Sequence, residues 1–377
     1  MQTKHFGLCA ALSAAALLLL AGCAGSGSTA APTLTVESSY PLQYAKQFTV
    51  DECTGGYELI TIADSQYLVV PQGAAVPEDL PQGTTVLQQP IENIYLVSTS
   101  AMDPIISLGA LDSIALSGTK ADGWYLPEAK AAMQAGQIAY AGKYSAPDYE
   151  TILASGCGLA IENTMIYHTP EVKEQLEKFG IPVLVERSSY ETDPLARMEW
   201  VKLYGILLGK KQEAEQLFDT QVQCVAPLEN QQPTGKTVAF FSITSNNLVT
   251  VRKGSDYVAR MIEMAGGSYV FDDLTDSGNN LATINLSLED FYAGAKDADV
   301  LLYNSTIEGS IASTEQLVEK CPLLVQFKAV QNGNVWCTAQ SLFQQSMELP
   351  DLILDMNRVF TEGTPADSEL TFLTHVE

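Results

Sequence analysis

The strongest helical pattern in the chain lies near its middle. Apolar residues recur there at mixed three- and four-residue spacings from Leu195 to Phe218, which is typical of a helix buried along much of its length. Asp193 can cap the amino end, and Pro194 suits the first helical position, where its missing amide hydrogen costs nothing. Taken from Pro194 to Gln223, this helix would be roughly 45 Å long.

A helix of that length exceeds what packing inside one small α/β unit requires, and the chain has α/β patterning on both sides of it. We therefore interpret it as a strut that joins two lobes. Gly205 and Gly209 weaken the helix locally, so a break near them is the main alternative to a continuous strut.

Short apolar or alternating runs separated by helical segments predict a regular alternation of strands and helices. Before the strut, strands are predicted at 34–36, 48–50, 57–62, 67–70, 86–87, 91–97, 114–116, 159–161 and 181–185, with another beginning at Ile138, and helices at 102–108, 148–154 and 170–179. Beyond the strut, strands are predicted at 238–243, 300–303 and 335–336, and helices at 256–265, 287–294, 314–320 and 349–360. Such alternation favours parallel βαβ units. The predicted fold class is α/β, with two lobes of mainly parallel sheet joined by one long interlobe α-helix.

The predicted divisions are a lipoprotein signal peptide at 1–22, a tether at 23–33, an N-terminal lobe at 34–188, the interlobe helix at 189–224 and a C-terminal lobe at 225–377. The two lobes share a sequence pattern. Glu150 and Glu289 each open a helix that leads into an apolar strand and then into Asn163 or Asn304. This shared pattern supports two similarly folded lobes that face each other across a cleft.

The amino terminus carries the most specific signal in the sequence. Lys4 and His5 precede an apolar run to Leu20 that is too short for a membrane-spanning helix and has the shape of a secretory signal. The following Ala-Gly-Cys resembles a bacterial lipobox, which implies cleavage before Cys23 and lipidation of that residue. An ordinary signal peptide with an incidental cysteine is the alternative. The small residues at 24–33 would form a flexible tether, so we expect an extracytoplasmic protein anchored to the cell membrane by lipid.

Composition narrows the class of protein further. Hydrophobic residues make up 46% of the chain and charged residues 17%, which is typical of a globular protein. The net charge of −25 argues against a nucleic-acid surface, because phosphate binding needs clustered Lys and Arg. Of the seven cysteines, five lie outside the signal and the lipobox, and we expect small buried side chains with at most one or two disulfides. These five are Cys53, Cys157, Cys224, Cys321 and Cys337.

Two segments carry a resemblance to a known family. GKYSAPDYETIL around Glu150 resembles the signature of a small loop, Asn or Asp, any residue, Glu and then Ile-Leu in the class III substrate-binding proteins of ABC importers. GIPVLVE, from Gly180 to Glu186, resembles the strand that ends the first lobe in that family, whereas Gly158 stands where the family usually has Asp. The order of lipobox, lobe, long helix and lobe extends the resemblance over nearly all of the mature chain. It implies a ligand-binding cleft and no enzymatic activity.

In this family one glutamate on each lobe docks on arginines of the permease, and the motif places these at Glu150 and Glu289. The implied partners are the ABC permease and its ATPase, a small-molecule metal complex and the membrane, and the protein is expected to act as a monomer. Two exposed carboxylates at a fixed separation would favour correct registration on positive partners. A glutamate in the first turn of a helix is also favoured by the helix dipole alone, which is the alternative for both residues.

Ligands of two-lobed α/β proteins lie where loops leave the carboxyl ends of strands, and this rule nominates the cleft residues. The candidates are Ser98, Thr99, Trp124, Tyr125, Lys143, Tyr144, Tyr167, His168, Arg187, Arg252 and Lys253, together with the segments 245–253 and 339–343. The cations stand out because the chain has 20 Lys and Arg against 45 acidic residues, although a solvated surface cation is an equally open reading of each. Arg197, inside the strut, is expected to pair with Glu191 or Asp193.

The expected cargo is a ferric siderophore or a related iron chelate, because this is the commonest cargo of the family that the sequence resembles, and no cofactor or directly bound metal is expected. Haem would need an axial Tyr, His or Met ligand. Tyr144, Tyr167 and His168 are the candidates for that ligand.

Cobalamin is a further alternative, since Trp124, Tyr125 and Trp336 could form aromatic walls with few charges. Bare transition-metal binding is disfavoured, because His168 and His375 lie far apart and leave no multi-histidine site. A secreted hydrolase is the rival from another class, although the sequence has no GxSxG, HExxH or P-loop motif. An adhesive surface lipoprotein without a small ligand is the remaining alternative.

Overall fold

The computed structural model describes residues 33–275 and 282–377. The predicted signal segment, Cys23 and residues 24–32 of the tether lie outside these ranges. Within them, no helix is long and apolar enough to cross a membrane.

The described chain opens with a five-stranded sheet, which we call the N-terminal sheet. Its strands are β1 (Val36–Ser39), β2 (Phe48–Cys53), β3 (Tyr57–Ile62), β4 (Ser65–Val70) and β5 (Thr85–Gln88). The first four form an antiparallel meander, and β5 joins β4 in parallel. Residues on one face, among them Phe48 and Ile60, join the main core, while Cys53, Tyr57 and Leu59 form a small cluster on the other. Alternate residues of β2 and β3 point to opposite faces of the sheet, and each face contributes buried side chains to a different cluster.

The first lobe is built on a parallel sheet. Its strands are β6 (Ile94–Leu96), β7 (Ile114–Ser117), β8 (Ala139–Tyr140), β11 (Ala160–Glu162) and β12 (Val183–Val185), while β9 (Gly142–Lys143) and β10 (Ala146–Pro147) form a separate short hairpin. Its helices are α1 (Met102–Ser107), α2 (Pro127–Gln134), α3 (Tyr149–Ala154) and α4 (Pro170–Lys178). The strand order is β12-β11-β6-β7-β8, and every neighbouring pair is parallel. All carboxyl ends of the sheet therefore lie along one edge.

The predicted strut consists of two helices, α5 (Pro194–Leu207) and α6 (Lys211–Val225), so the prediction of one continuous interlobe helix is wrong. Gly209 has a φ of 69°, the left-handed conformation that ends many helices. Gly205 lets the two helices approach closely, because a Cβ there would lie 2.4 Å from the Ala214 Cβ and 2.8 Å from the Lys210 carbonyl oxygen. Of the two glycines that weaken the helical pattern, Gly209 lies in the turn between the helices and Gly205 lies at their contact.

Helix α5 nevertheless occupies the interlobe position. All 14 of its residues are buried, and it packs against helices of both lobes as well as against α6. Arg197 on this helix donates to the Ser188 carbonyl at 3.1 Å and lies over the Tyr257 ring at 4.2 Å. The expected ion pair of Arg197 with Glu191 or Asp193 is absent from the described residues, which corrects that prediction.

Two buried carboxylates instead hold the segment that joins β1 to β2. Glu199 accepts from the backbone amides of residues 43–45 and from Lys202 Nζ, at 2.7–3.1 Å. Glu191 accepts from the amides of residues 46–47 and from the Trp200 indole at 2.9–3.1 Å. These bonds fix the N-terminal sheet to α5, because a carboxylate buried without such donors would be strongly destabilising.

The second lobe has a mixed sheet. Its strands are β13 (Thr237–Ile243), β14 (Val249–Arg252), β15 (Ser268–Tyr269), β16 (Thr283–Leu286), β17 (Val300–Tyr303), β18 (Val335–Thr338) and β19 (Leu373–His375). Its helices are α7 (Tyr257–Met264), α8 (Leu288–Ala295), α9 (Ser305–Glu308), α10 (Thr314–Lys320), α11 (Lys328–Gln331) and α12 (Leu349–Glu362).

The strand order of the second lobe is β16-β14-β13-β17-β18-β19, with β15 also paired to β13. Strands β13, β15, β17 and β18 are parallel, whereas β14, β16 and β19 run antiparallel to their neighbours. The predicted α/β class is confirmed, with a parallel first sheet and a second sheet that is parallel only at its centre. The segment 245–253, predicted as a loop, contains β14 and closes an antiparallel hairpin with β13.

The five cysteines of the described chain are free thiols. Cys53, Cys321 and Cys337 are buried, whereas Cys157 is half-buried and Cys224 is exposed. Three of the five therefore act as small buried side chains.

Candidate functional site

The carboxyl edges of the two sheets face one another through three loops. From the first lobe come residues 98–103, which follow β6, and residues 123–125, which lie beyond β7. From the second lobe come residues 344–348, which lie between β18 and α12. We call the place where these segments touch the interlobe contact.

Side-chain hydrogen bonds cross the interlobe contact. The backbone amide of Tyr125 donates to Gln344 Oε1 at 2.8 Å, and Gln344 Nε2 donates to the Gly123 carbonyl at 2.9 Å. Ser346 Oγ donates to the Ser100 carbonyl at 2.9 Å. Gln344 thus bonds Gly123 and Tyr125, the residues on both sides of Trp124, and ties this first-lobe loop to the second lobe.

A buried carboxylate organises the first-lobe side of this contact. Glu186, directly after β12, accepts from Ser98 Oγ and Ser100 Oγ at 3.0 Å each and from the Ser188 amide at 2.8 Å. Ser98 is only 2% exposed, so its hydroxyl serves this network, which corrects its nomination as a ligand contact. Thr99 beside it is half-buried and opens the short helical turn that precedes α1.

Arg187 is the cation best placed for recognition on the first lobe. Its Nη1 donates to the Tyr167 hydroxyl at 3.2 Å, its Nη2 contacts Gln47 Oε1 at 3.4 Å, and its guanidinium lies 4.6 Å from the centre of the Tyr190 ring. Its Nε is buried without a hydrogen-bond partner. No ion pair of the described residues includes Arg187, so its charge is oriented by aromatic groups and is not neutralised by a carboxylate.

The second lobe offers a comparable arginine. The Arg252 guanidinium lies 4.6 Å from the centre of the Phe343 ring, and its Nη1 is 3.5 Å from Asp256 Oδ2. Phe343 lies in the loop that follows β18. Lys253 is 7% exposed and engaged with the surrounding protein, which makes Arg252 the more accessible of the two predicted cations.

The aromatic candidates separate into core and surface residues. Trp124 is 1% exposed and donates from its indole nitrogen to Ser117 Oγ at 3.2 Å, so its nomination as a cleft residue is corrected. Trp336 is fully buried as well, which removes both tryptophans as walls for a large ligand. Tyr125 and Tyr167 are 43% and 47% exposed, and their rings remain available.

The remaining candidates lie on exposed loops. Lys143 and His168 are exposed, and Tyr144 is half-buried against the small core of the first lobe. No group of three or more His, Cys, Asp or Glu side chains within residues 33–275 and 282–377 is arranged to hold a metal ion.

The two predicted docking glutamates occupy equivalent positions. Glu150 is exposed in the first turn of α3, whose N-cap Asp148 accepts from the Thr151 amide. Glu289 is exposed in the first turn of α8, which is capped by Ser287. Both helices end shortly before a central parallel strand, β11 or β17, so both glutamates lie toward the carboxyl edge of their sheet.

The sequence pattern shared by the lobes has a structural counterpart. Asn163 follows β11 and accepts from the Met165 amide at 2.9 Å, and Asn304 follows β17 and accepts from the Thr306 amide at 3.2 Å. Each asparagine therefore caps a short helical turn at the same edge of its own lobe. Large apolar side chains next to these caps are exposed, with Met165 at 43% and Ile307 at 72%.

Several residues of the interlobe contact were not nominated from the sequence. They are Asp103, Glu186, Gln344, Ser346 and Glu348. The predicted segment 339–343 stops one residue before Gln344. Each of these five residues is a single polar side chain in an otherwise ordinary helix or loop pattern. Their role in the contact is apparent only from the proximity of the two lobes.

Comparison with known proteins yields a family match and several relatives. A family model described as periplasmic binding protein matches residues 96–341, more than half of the chain. The uncharacterized lipoprotein MJ0878 of Methanocaldococcus jannaschii is 27% identical over 241 residues, which cover 62% of this chain and 55% of that protein. The chain spans about half the length of the curated relatives it matches.

Two solved structures show the same fold. A periplasmic heme-binding protein from Pseudomonas aeruginosa has a TM-score of 0.58 at 17% identity, covering 76% of this chain and 99% of that one. An ABC-type Fe³⁺-hydroxamate transport protein from Saccharomonospora viridis has a TM-score of 0.56 at 21% identity, covering 72% and 94%. The family resemblance predicted from the sequence is confirmed.

Proposed function

The chain belongs to the periplasmic binding protein family, and from this premise we propose that it captures a ferric siderophore or similar metal chelate between its lobes and delivers it to an ABC permease. The observation that carries the proposal is the pair of stacked arginines, Arg187 on the first lobe and Arg252 on the second, each 4.6 Å from an aromatic ring. A flat anionic chelate would meet a cation and an aromatic face on both sides of the cleft.

Haem is the second candidate cargo. Tyr167 has an exposed ring, and its hydroxyl accepts from Arg187, which orients the oxygen that an axial ligand would use. The names of the two solved relatives, a heme-binding protein and an Fe³⁺-hydroxamate transport protein, are compatible with either cargo. Cobalamin is the weaker alternative, because Trp124 and Trp336 are buried.

The proposal includes a lipid anchor and an extracytoplasmic location. The family is periplasmic by name, and the relative MJ0878 is named a lipoprotein. Both agree with lipidation at Cys23. Mass spectrometry of the membrane-extracted protein tests this point, since a lipidated chain would begin at Cys23.

Ligand binding is tested by thermal unfolding with a ferric hydroxamate, a ferric catecholate, haemin and cyanocobalamin as separate probes. A bound ligand at 100 times its Kd should stabilise the folded protein by about 2.7 kcal/mol, which raises the melting temperature by several degrees. Stabilisation by one iron complex supports the proposal. The absence of a shift with all four probes would contradict it and favour the adhesive lipoprotein.

Arg187→Gln should weaken binding of an anionic chelate about tenfold, since a charge-assisted hydrogen bond is lost. Arg260→Gln is the matched control, because Arg260 lies on α7 with its side chain 45% exposed and is paired with Glu263. Equal effects of the two variants would show that the arginine at the cleft has no special role.

The hydrolase alternative is tested on the same protein. His375 Nε2 lies 2.7 Å from the Gly333 carbonyl, and the ring packs against Trp336, so His168 is the freer of the two histidines. Turnover of ester or peptide substrates that is abolished by His168→Ala would overturn the transport proposal.

A further inference from the structure

Two carboxyl side chains from opposite lobes meet inside the interlobe contact. Asp103, the second residue of α1, is 3% exposed, and Glu348 directly precedes α12. Glu348 follows Met347, whose amide donates to Asp103 Oδ2 at 2.7 Å, and the two carboxyl side chains lie within hydrogen-bonding reach of one another. A hydrogen bond between two carboxyl groups requires that one of them carries a proton.

The other groups that act directly on this pair are acidic as well. Glu128 of α2 disfavours ionisation of Asp103, and Asp351 of α12 disfavours ionisation of Glu348. No ion pair of the described residues includes either carboxyl, and Glu348 Oε2 is buried without a conventional donor. Backbone amides stabilise the ionised carboxylates in part, and a shared proton removes the remaining repulsion between the two groups.

Charged side chains on the neighbouring helices are engaged elsewhere. On α5, Lys202 pairs with Glu199, and Arg197 donates to a backbone carbonyl. On α6, Lys211 pairs with two acidic residues of the N-terminal sheet, and on α7 Arg260 pairs with Glu263. On α12 itself, Asp355 accepts from the backbone amides of residues 371–373.

Burial, followed by repulsion from Asp103, raises the pKa of Glu348 to about 8. Burial also raises the pKa of Asp103 above its ordinary value. Two such close carboxyls titrate as a pair, and the second proton to leave is the one held between them. At neutral pH the pair therefore retains one proton.

We propose that Asp103 and Glu348 form a proton-dependent latch that holds the lobes together at the interlobe contact and releases them when the shared proton is lost. In the latched state, residues 344–348 are also held by the Ser346–Ser100 and Gln344–Tyr125 bonds. Loss of the proton places two like charges in contact within a largely buried site, and separation of the loops restores their hydration.

The direction of the effect follows from proton binding. The latched state binds a proton that the open state releases, so acidic or neutral conditions favour the closed cleft and alkaline conditions favour the open one. The latch depends only on this chain and not on the cargo or the permease. An experiment that disproves the latch therefore leaves the proposed transport function untouched, and the reverse is also true.

The test is hydrogen exchange by mass spectrometry on the whole protein between pH 6 and pH 9.5, corrected for the intrinsic effect of pH on exchange. The reporter is the Met347 amide, which is bonded to Asp103. Its opening constant should rise about tenfold per pH unit up to the titration midpoint near pH 8 and level off above it, because below the midpoint opening releases one proton. Glu348→Gln should abolish this extra dependence, because its amide donates to Asp103 at every pH.

If Glu348→Gln fails to fold, Asp103→Asn serves as the second test, because it removes the other carboxyl of the pair. Glu162→Gln is the matched control, because Glu162 is another buried carboxyl with a pKa raised to about 8, placed inside the first lobe. It should leave the pH response of Met347 intact. Corrected exchange at Met347 that stays constant from pH 6 to pH 9.5, or that responds equally in wild type and in both latch variants, would overturn the proposal.

Discussion

Glu162 is the most unusual single residue of the first lobe. It ends the interior strand β11, is fully buried, and neither of its carboxyl oxygens has a hydrogen-bond partner. Burial in this apolar site raises its pKa to about 8. The side chain is therefore protonated at neutral pH, as a buried carboxyl without a partner must be.

This protonation makes the stability of the protein depend on pH. The folded protein binds the Glu162 proton more tightly than the unfolded chain does, so this stabilisation is complete below pH 4.5 and is lost as the pH rises toward 8. Glu162→Gln mimics the protonated form at every pH. The free energy of unfolding of the variant should exceed that of wild type by on the order of 4 kcal/mol at pH 9, and the difference should vanish near pH 5.

Urea denaturation at pH 5, 7 and 9 measures this difference. Glu174→Gln is the control, because Glu174 is exposed on α4 and should show no such dependence. A difference between Glu162→Gln and wild type that does not change with pH would refute the assignment of a proton to Glu162.

Helices α5 and α6 form the element whose geometry depends most on one small residue. Gly205→Ala would raise intrinsic helix propensity by about 1 kcal/mol, yet its Cβ would collide with Ala214 and with the Lys210 carbonyl. We expect overpacking to dominate and to lower the free energy of unfolding by about 1–3 kcal/mol. Ala214→Gly in the same chain should restore part of the loss, because it removes the contact between the two Cβ atoms.

A double-mutant cycle by urea denaturation measures this coupling. Strictly additive effects would mean that Gly205 and Ala214 do not constrain one another. A stabilised Gly205→Ala variant would mean that the two helices separate at no cost.

The same helix pair shows what the sequence could predict. The start of α5 was predictable because Asp193 accepts from the Leu195 amide and Pro194 takes the first helical position. Most strands and helices were found because their apolar spacings are local. The break at 208–210 was predicted only as the alternative to a continuous helix, because apolar spacing continues through it and the close approach at Gly205 is a tertiary contact.

The site was less predictable than the fold for a related reason. The rule on carboxyl strand ends nominated Arg187, Tyr125 and Arg252; in the structure each arginine lies over an aromatic ring, and the Tyr125 amide is bonded to the second lobe. It also nominated Trp124, whose burial depends on packing that sequence position alone does not report. Residues such as Glu348 became visible only when the two lobes were seen in contact.

At the scale of the whole molecule, the two lobes present equivalent edges on either side of α5. Each lobe has an asparagine cap after its central strand and an exposed glutamate in the helix before that strand. Helix α5, buried along its full length, packs against both lobes and limits their relative movement. We therefore expect modest closure on ligand binding, and a large fall in the radius of gyration by solution scattering would contradict this.

This arrangement yields a prediction about transport. Glu150 and Glu289 carry separated negative charges on equivalent helices, so arginines on a permease could bind both at once only at the correct orientation. Replacing both by alanine should reduce ligand uptake in cells at least about tenfold, with each single variant intermediate, because the loss of two charge pairs weakens docking. The Kd of the purified double variant for the ligand should stay within about twofold of wild type, since neither carboxylate forms an ion pair with Arg187 or Arg252 among the described residues.

Glu171→Ala is the matched control for this prediction. Glu171 is likewise exposed in the first turn of a first-lobe helix, α4, so its removal changes charge and helix-dipole energy in the same way as removal of Glu150. Normal uptake by Glu171→Ala together with reduced uptake by the double variant would assign docking to the two glutamates. Reduced ligand affinity of the double variant would instead place them in the binding site, and unchanged uptake would leave them only their contribution to the helix ends.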